Sequence, residues 1–263
     1  LAASSGEHTS PSTPMLRALM PVHAIREMAR MPEVVALGSD ESPGHPLSTV
    51  YFTSDDGYLY CVGAADGRLQ WRFRGAPSGQ QVIGNRRVIS AWPARGGPVQ
   101  RDGIIYFAAS IWPFMGTFIY ALDADSGAVR WVNDATGADH IKQPHAAPAF
   151  AGVAPQGQLA TTEKLLLVPG GRSLPAALDR HTGGLRYFNF GSKGQGGSFV
   201  AADESRVFVH TRVRGTTALN LADGSDGKFQ INEPVLAEGF TYAANTPGKN
   251  KDGTLAPAAI QAF

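Results

Sequence analysis

Three segments at 86–98, 111–114 and 170–173 contain arginine, glycine, proline or tryptophan, residue types that are found in ligand-binding loops. Arginine guanidinium groups bind carboxylates or phosphates through paired hydrogen bonds, and glycine-rich turns let the backbone come close to a ligand. If the three segments line one channel mouth, they form a small cationic and aromatic pocket. The candidate ligand-binding residues are Arg87, Trp92, Arg95, Trp112 and Arg172.

A structural role is the alternative for the same residues. Arginine also satisfies buried carbonyl groups at junctions between structural units, and tryptophan also packs between such units. The two interpretations differ in what they predict for the substitution Arg95→Ala. Folding stays nearly intact if Arg95 binds a ligand, whereas the melting temperature falls clearly if Arg95 is structural.

Few carboxylates and histidines have the spacing of metal ligands. Asp123 and Asp125 stand in an Asp-x-Asp-Ser-Gly sequence that is typical of a tight turn, and no glutamate follows at the position that closes a calcium loop. His140 and His145 are five residues apart, a spacing that suits neither a helix face nor a strand face. We therefore predict a turn and solvated histidines, and no metal site.

Several reaction classes lack the residues that they need. Cys61 is the only cysteine, which excludes an internal disulfide and a cysteine-rich zinc or iron–sulfur site. The sequence also lacks the Gly-x-Ser-x-Gly, His-Glu-x-x-His, Gly-x-Gly-x-x-Gly and Gly-x-x-x-x-Gly-Lys-Ser/Thr motifs. Hydrolase, zinc protease and nucleotide-binding functions therefore have no support, and we predict no catalytic residue.

The amino-acid composition restricts the fold classes and the kinds of binding partner that can be expected. Lys and Arg number 23 against 22 Asp and Glu, a net charge of +1, so we expect neither nucleic acid nor an anionic membrane as a partner. No apolar run approaches the roughly 18 residues of a membrane span. The 31 glycines and 18 prolines among 263 residues, of which only 17% are charged, predict many turns and few surface helices.

The elements that must position the candidate residues repeat along the chain. YLYCVGAADGRLQW at 58–71 aligns without gaps with FIYALDADSGAVRW at 118–131, a third copy occupies 174–187, and a weaker fourth copy has its closing aromatic at Phe229. The periods are 60, 56 and 41 residues, measured between Cys61, Ala121, Ala177 and Ala218. Repeats of this length are single supersecondary units rather than domains.

Each copy has the pattern of an antiparallel meander. A β-branched and aromatic run precedes it, as in IIYFAA at 104–109, and pairs such as Asp102-Gly103 supply the positive φ of tight turns. A unit of about four strands cannot bury both of its faces alone, and radial stacking into a propeller solves that problem. We predict an all-β fold, a β-propeller of four-stranded antiparallel blades, with four to five blades in this chain.

The segment from Ala121 to Trp131, with Asp123 and Gly127 at its turn, resembles the tryptophan-docking repeat of the pyrroloquinoline-quinone-type β-propellers. In that repeat the Asp and Gly make the turn and the Trp ring packs between blades. Other copies depart from this repeat. In the first copy Gly63 replaces the Asp, and in the fourth copy Asn220 replaces it. The predicted blade-docking residues are Trp71, Asp123, Gly127, Trp131, Asp179, Gly183 and Tyr187.

The resemblance implies two alternative functions. The superfamily includes quinoprotein alcohol dehydrogenases and the non-enzymatic propeller lipoprotein of the outer-membrane assembly machine. We expect a non-catalytic module without a cofactor, periplasmic or extracellular, that holds a partner protein or a small anionic or carbohydrate-like ligand on one face. The alternative is part of a dehydrogenase that uses pyrroloquinoline quinone (PQQ) with Ca²⁺, although the vicinal cysteine pair of those enzymes has no counterpart beside Cys61.

The repeats also suggest how the chain is divided. We expect a lead-in at 1–46 with one amphipathic helix between Pro14 and Pro32, blades at 47–245, and a linker or short strand at 246–263. Propellers of the resembled family usually close with seven or eight blades. The sequence is therefore expected to be a fragment of a larger ring, a compact ring, or an arc that associates through its open blade edges.

Overall fold

The computed structural model describes residues 34–38, 49–84, 86–142, 146–171, 173–189, 196–211, 215–231, 234–237, 240–244, 251–252, 254 and 260–262. Within these residues the chain is all-β, with four four-stranded antiparallel sheets, one three-stranded sheet and two two-stranded hairpins. The helix expected between Pro14 and Pro32 lies outside the described residues. None of the described residues belongs to a helix with the length and hydropathy of a membrane span.

The first two four-stranded sheets are separated by a hairpin. Blade 1 consists of β1 (Val34–Gly38), β2 (Thr49–Ser54), β3 (Tyr58–Gly63) and β4 (Leu69–Arg74). The hairpin consists of β5 (Gln81–Gly84) and β6 (Arg87–Ser90). Blade 2 consists of β7 (Val99–Arg101), β8 (Ile104–Ala109), β9 (Phe118–Asp123) and β10 (Val129–Asn133), with a 3₁₀ helix at Pro113–Met115 between β8 and β9.

A second hairpin and two more four-stranded sheets follow. The hairpin consists of β11 (His140–Lys142) and β12 (Pro148–Phe150). Blade 3 consists of β13 (Ala160–Thr161), β14 (Leu165–Gly170), β15 (Ser173–Asp179) and β16 (Leu185–Tyr187). Blade 4 consists of β17 (Val200–Ala202), β18 (Arg206–Thr211), β19 (Gly215–Asn220) and β20 (Asp226–Gln230).

The last sheet has three described strands. They are β21 (Val235–Ala237), β22 (Phe240–Ala244) and β23 (Ile260–Ala262). Strand β1 pairs with β2 although it precedes residue 47, and β23 pairs with β22 although it follows residue 245. The sheets therefore begin earlier and end later than the repeated sequence motif, and the domain limits drawn from that motif stay a prediction.

The strand registers align the four sequence copies with one another. Cys61 lies opposite Trp71, Ala121 opposite Trp131, and Ala177 opposite Tyr187. Ala218 lies opposite Phe229, after a wider irregularity that absorbs one extra residue. The fourth copy therefore keeps the register of the repeat despite its displaced aromatic.

The sheets fan around a shared axis. Strand β13 at the inner edge of blade 3 lies beside the inner strands β7 and β17 of the neighbouring blades. The second strands, such as β8 and β14, are almost wholly buried, whereas the last strands, such as β10 and β16, are largely exposed. Sheets that meet at their inner strands and are exposed at their last strands have the arrangement of a propeller, so the fold class predicted from the repeats is confirmed.

The hydrophobic core lies in layers between adjacent blades. Leu59 of blade 1 packs in one cluster with Ile105 and Phe107 of blade 2. Tyr106 of blade 2 packs in the next cluster with Leu166 and Leu178 of blade 3. Blade 2 thus buries both of its faces, which explains why its central strands are continuous apolar runs rather than alternating ones.

An aromatic ring at the outer strand of each of blades 1, 2 and 3 joins that blade to the next. The indole N–H of Trp71 donates to the carbonyl oxygen of Ala124 in blade 2 at 3.1 Å, and that of Trp131 donates to the carbonyl oxygen of Arg180 in blade 3 at 2.9 Å. Both rings lie over turn glycines with positive φ, Gly127 (70°) and Gly183 (74°). A Cβ at Gly183 would stand 2.5 Å from Trp131 Cε3, so only glycine fits under the ring.

Tyr187 takes the corresponding place between blades 3 and 4. A Cβ added at Gly224 would stand 2.8 Å from Tyr187 Cε2, so the phenol ring lies over the turn of blade 4 as the indoles lie over theirs. Burial raises the pKa of Tyr187 to about 12, with the charge of Asp223 as a further cause. Asp123 and Asp179 are placed differently, at the start of the turns, where their carboxylates accept hydrogen bonds from Ser126 and from the backbone of His181 and Thr182.

Removal of a docking ring should loosen the propeller at one junction. Trp131 is only half-buried, so we expect Trp131→Ala to lower the free energy of unfolding by about 3 kcal/mol, near the low end for removing a packed aromatic. Urea denaturation followed by circular dichroism measures the change. Val132→Ala on the same strand, where the side chain is 43% exposed, is the control and should change stability little. Equal losses for the two variants would contradict the docking role.

The turn carboxylates predict an acid-dependent loss of stability. Hydrogen bonds from Arg186 and from the backbone of His181 and Thr182 lower the pKa of Asp179 from 3.8 to about 2, against a smaller opposing effect of burial. The folded protein therefore binds fewer protons than the unfolded chain between these pH values, and the free energy of unfolding falls as the pH falls through that window. Melting temperatures recorded from pH 4 to pH 2 should fall less steeply for Asp179→Asn. An unchanged slope would count against the turn as its source.

Candidate functional site

The described parts of the connections between blades lie at one end of the propeller. Because neighbouring strands are antiparallel, β4 ends at the same end as the β2–β3 turn, and the linker from β4 to β7 starts there. The β8–β9 loop lies at this end too, since the N–H of Ser110 donates to the carbonyl oxygen of Pro93 at 2.9 Å. We call this end the linker face. Its described segments are 55–57, 75–84, 86–98, 110–117, 134–142, 146–159, 171, 188–189 and 196–199.

A buried aspartate anchors the first linker to blade 1. The Asp55 side chain is 3% exposed and lies in the β2–β3 turn, where it meets two arginines from the linker. Arg87 forms an ion pair with Asp55 Oδ2, and Arg95 Nε donates to Asp55 Oδ1 at 2.9 Å. The N–H of Ser90 adds a bond of 2.8 Å to the Asp55 carbonyl oxygen. A carboxylate taken out of water is stabilised only when it is paired in this way.

The two arginines are therefore already engaged. Arg87 and Arg95 keep 36% and 27% of their side-chain surface exposed, but each directs its guanidinium group at Asp55. Such a cluster holds the linker in one geometry and leaves little positive charge for an anionic ligand. Asp55 was not foreseen as a site residue, because the sequence around it is that of an ordinary turn.

The two tryptophans of the candidate set lie on segments that touch each other. The indole N–H of Trp92 donates to the carbonyl oxygen of Met115 at 2.8 Å, which ties the linker to the 3₁₀ helix of the β8–β9 loop. Trp112 lies in the same loop, and its N–H donates to the hydroxyl of Ser110 at 3.2 Å. Ser110 has a φ of 73°, in the left-handed region that is uncommon for a residue with a side chain.

Arg172 lies outside the described residues, as does His145. Gly171, which precedes Arg172, belongs to the linker face, because the N–H of Gly171 donates to the carbonyl oxygen of Gly197 at 3.2 Å. The structure thus brings Arg87 and Arg95 together on Asp55 and ties the segments of Trp92 and Trp112. Whether these residues bind a ligand stays a prediction.

Exposed apolar side chains are the feature of the linker face that sequence reasoning missed. Ile83 and Val88 are directly opposite each other in the hairpin of β5 and β6, 86% and 61% exposed. Phe114 in the 3₁₀ helix is 67% exposed, and two further phenylalanines are exposed on later linkers, Phe150 and Phe199. The two adjacent apolar residues in each of QVIG and RVIS were a usable signal, since pairing of the two strands places Ile83 and Val88 on one face of the hairpin.

The described residues do not fit a PQQ and calcium site. Cys61 lies fully buried in the core between blades 1 and 2, and burial raises the pKa of its thiol to about 11. The carboxylate of Asp123 accepts hydrogen bonds from Ser126 and Arg130 within the β9–β10 turn. In the described part of the chain, no three His, Cys, Asp or Glu residues are grouped as metal ligands. His140 instead packs edge-on against Phe150, with ring centroids 5.2 Å apart.

Fold and site together define a class of protein: a β-propeller whose blades are joined by aromatic docking and whose linker face is rich in loops. The profile of a family described as "Outer membrane protein assembly factor BamB" matches residues 26–186 and, in an overlapping second match, residues 116–227. These matches cover most of the chain, and the protein therefore belongs to this family of propellers. Comparison with curated protein sequences gives no match.

Solved structures show the same fold at low sequence identity. BamB from Moraxella catarrhalis aligns with a TM-score of 0.52 at 15% identity, over 86% of this chain and 59% of the other. Quinohemoprotein alcohol dehydrogenase from Comamonas testosteroni aligns with a TM-score of 0.51 at 14% identity, over 80% of this chain and 36% of the other. At this identity the likeness concerns the fold alone. This chain matches less than two thirds of the length of either protein.

The Asp55 cluster predicts a stability effect that separates the two interpretations of Arg95. Removal of Arg95 leaves the buried Asp55 carboxylate with one cationic partner, so we expect Arg95→Ala to lower the free energy of unfolding by about 1–3 kcal/mol. Arg74→Ala, at an exposed arginine at the end of β4, is the matched control and should be near neutral.

A double-mutant cycle tests whether the loss arises from the ion pair. If it does, Asp55→Ala combined with Arg95→Ala should destabilise the protein by less than the sum of the two single variants. Urea denaturation of the four proteins measures the coupling. Strict additivity, or an Arg95→Ala variant as stable as the parent, would show that Arg95 does not hold the linker.

Proposed function

We propose that this protein is a non-catalytic propeller that binds another polypeptide through its linker face. The exposed apolar side chains of that face carry the proposal. Ile83, Val88 and Phe114 stand on two segments whose bases are fixed by Asp55 and by the bond from Trp92 to Met115. Apolar side chains displayed on a rigid support are typical of a protein-binding surface.

A polypeptide is favoured over a small anionic or carbohydrate-like ligand. An anion would have to compete with Asp55 for Arg87 and Arg95, and that carboxylate is already in place and largely desolvated. An apolar segment of a partner has no such competitor, since burial of Ile83 and Val88 removes side chains from water that are now exposed. The edge of the β5–β6 hairpin also offers backbone groups to an added strand.

Family membership suggests the process in which the partner takes part. The family is described as an outer membrane protein assembly factor, so we propose that the partner is a component of outer membrane protein assembly and that this chain works in the periplasm of a bacterium. Binding of such a partner needs no bound cofactor and no catalytic residue.

Site-specific photo-cross-linking in the native cell tests the proposal. A benzophenone amino acid placed at Ile83 or at Phe114 should cross-link to one partner, identified by mass spectrometry as a component of outer membrane protein assembly. The same amino acid at Leu69 is the matched control, because Leu69 is an exposed apolar residue, 50% exposed, on the outer strand β4 and away from the linker face.

Each outcome of the cross-linking experiment either supports or contradicts the proposal. Cross-links at positions 83 and 114 but not at 69 support the proposal. No cross-link at either test position, or equal yields at all three, contradicts it. Ile83→Asp should weaken the same association without lowering the melting temperature, because the side chain makes no contribution to the core.

A further inference from the structure

The opposite end of the propeller contains a cavity between blades 3 and 4. We call this end the turn face, because the docking turns after β3, β9, β15 and β19 lie there. The cavity has a volume of about 530 Å³ and is open to solvent, a size in the range of small-molecule sites. Its lining includes Glu163, Lys164, Asp179, Glu204 and Leu221.

Backbone hydrogen bonds identify equivalent residues in successive blades. The N–H groups of Ala124, Arg180 and Leu221 donate to the carbonyl oxygens of Gly103, Lys164 and Ser205, each at 2.9 Å. Arg180 and Leu221 are therefore the same position in blades 3 and 4. Glu163, which precedes Lys164, corresponds in turn to Asp102, which precedes Gly103.

At the junction of blades 2 and 3 this position holds a buried guanidinium group. The Arg180 side chain is 4% exposed, and its Nη2 donates to the carboxylate of Asp102 in blade 2 at 2.8 Å. Its Nε donates to the carbonyl oxygen of Glu163 at 3.1 Å, and its Nη1 lies 3.5 Å from the hydroxyl of Tyr106. The junction thus surrounds one guanidinium group with acceptors from both blades.

The junction of blades 3 and 4 keeps the carboxylate and lacks the guanidinium group. Leu221 stands in the place of Arg180 and is buried at the edge of the cavity. Leu167 stands in the place of Tyr106, because the two residues face the equivalent positions Ala177 and Ala121. Glu163 stands in the place of Asp102 and lines the cavity. The short apolar Leu221 side chain therefore leaves room beside Glu163.

The other two carboxylates of the cavity have partners, whereas Lys164, which also lines it, takes part in none of the ion pairs of the described residues. Asp179 is paired with Arg186, and the carboxylate of Glu204 accepts the backbone N–H of Glu163 at 3.1 and 3.2 Å. Glu204 also lies 3.7 Å from Arg101. Among the ion pairs of the described residues, none includes Glu163. Among the three carboxylates that line the cavity, that of Glu163 is therefore the one without a charged partner in the described part of the chain.

We propose that this cavity binds a guanidinium group on an apolar stem, as in the side chain of an arginine residue of a peptide. The guanidinium group would face the Glu163 carboxylate as Arg180 faces Asp102, and the stem would lie along Leu221 and Leu165. The proposed site is separate from the linker face, so it does not depend on the function proposed above. The preceding junction of the same protein supplies the chemical precedent.

Calorimetric titration of the whole chain with N-acetyl-arginine methylamide tests the proposal, with N-acetyl-citrulline methylamide as the neutral isostere. The arginine derivative should bind saturably and at least about tenfold more tightly than the citrulline derivative, because a charge-assisted hydrogen bond is lost with the charge. Equal affinities, or no saturable binding of the arginine derivative, would overturn the proposal.

Two variants locate the binding in the cavity. Glu163→Gln should weaken arginine binding at least about tenfold, whereas Asp125→Asn should leave it unchanged, since Asp125 is an exposed carboxylate on the turn of blade 2. Leu221→Arg should abolish binding by placing the chain's own guanidinium group beside Glu163. If Leu221→Arg does not fold, Glu163→Gln decides alone. Unaltered affinity in Glu163→Gln would place the binding elsewhere and reject the site.

Discussion

The packing of a flat aromatic ring on a glycine turn of the next blade is the interaction on which the structure depends. A four-stranded sheet has two apolar faces and cannot cover either by itself. Trp71 and Trp131 bridge from the exposed outer strand of one blade to the turn of the next, and each indole N–H finds a carbonyl oxygen there. The glycine under the ring has no Cβ to hold the two blades apart. One contact therefore fixes both the spacing and the orientation of neighbouring sheets.

Docking at the turn face leaves the linker face free to vary. The connection from blade 1 to blade 2 carries a whole hairpin, and that from blade 2 to blade 3 carries another. Neither disturbs the sheets, because the blades are already fixed at the other end and by their apolar layers. The first hairpin is held instead by Asp55, which draws Arg87 and Arg95 onto blade 1. A surface built in this way can present apolar side chains without loosening the propeller.

Repetition also lets one position serve different purposes. The residue that directly follows the third strand is Ala124 in blade 2, Arg180 in blade 3 and Leu221 in blade 4. All three residues are buried between blades. The alanine leaves space for close packing, the arginine bonds to the preceding blade, and the leucine borders a cavity. The backbone around the three is the same, so the side chain alone decides whether a junction is filled or open.

The amino-acid sequence was sufficient to predict the fold class and the repeating unit. Strands, turns and their spacing are local properties, and the segment from Asp123 to Trp131 contains within nine residues the carboxylate, the glycine and the aromatic ring that build one turn and its dock. Even the displaced Phe229 falls into register, because an irregularity in the strand pairing absorbs one extra residue. The apolar run IIYFAA, which precedes the second copy, likewise coincides with the buried strand β8.

The partners of the charged residues could not be predicted without the three-dimensional fold. Arg87 and Arg95 look in the sequence like free cations, but their common partner Asp55 lies 32 and 40 residues away. The opening beside Glu163 likewise depends on a leucine 58 residues further along the chain, brought near by the stacking of two blades. Pairing and cavities depend on which distant residues meet at a junction, and a local pattern of residue types does not contain that information.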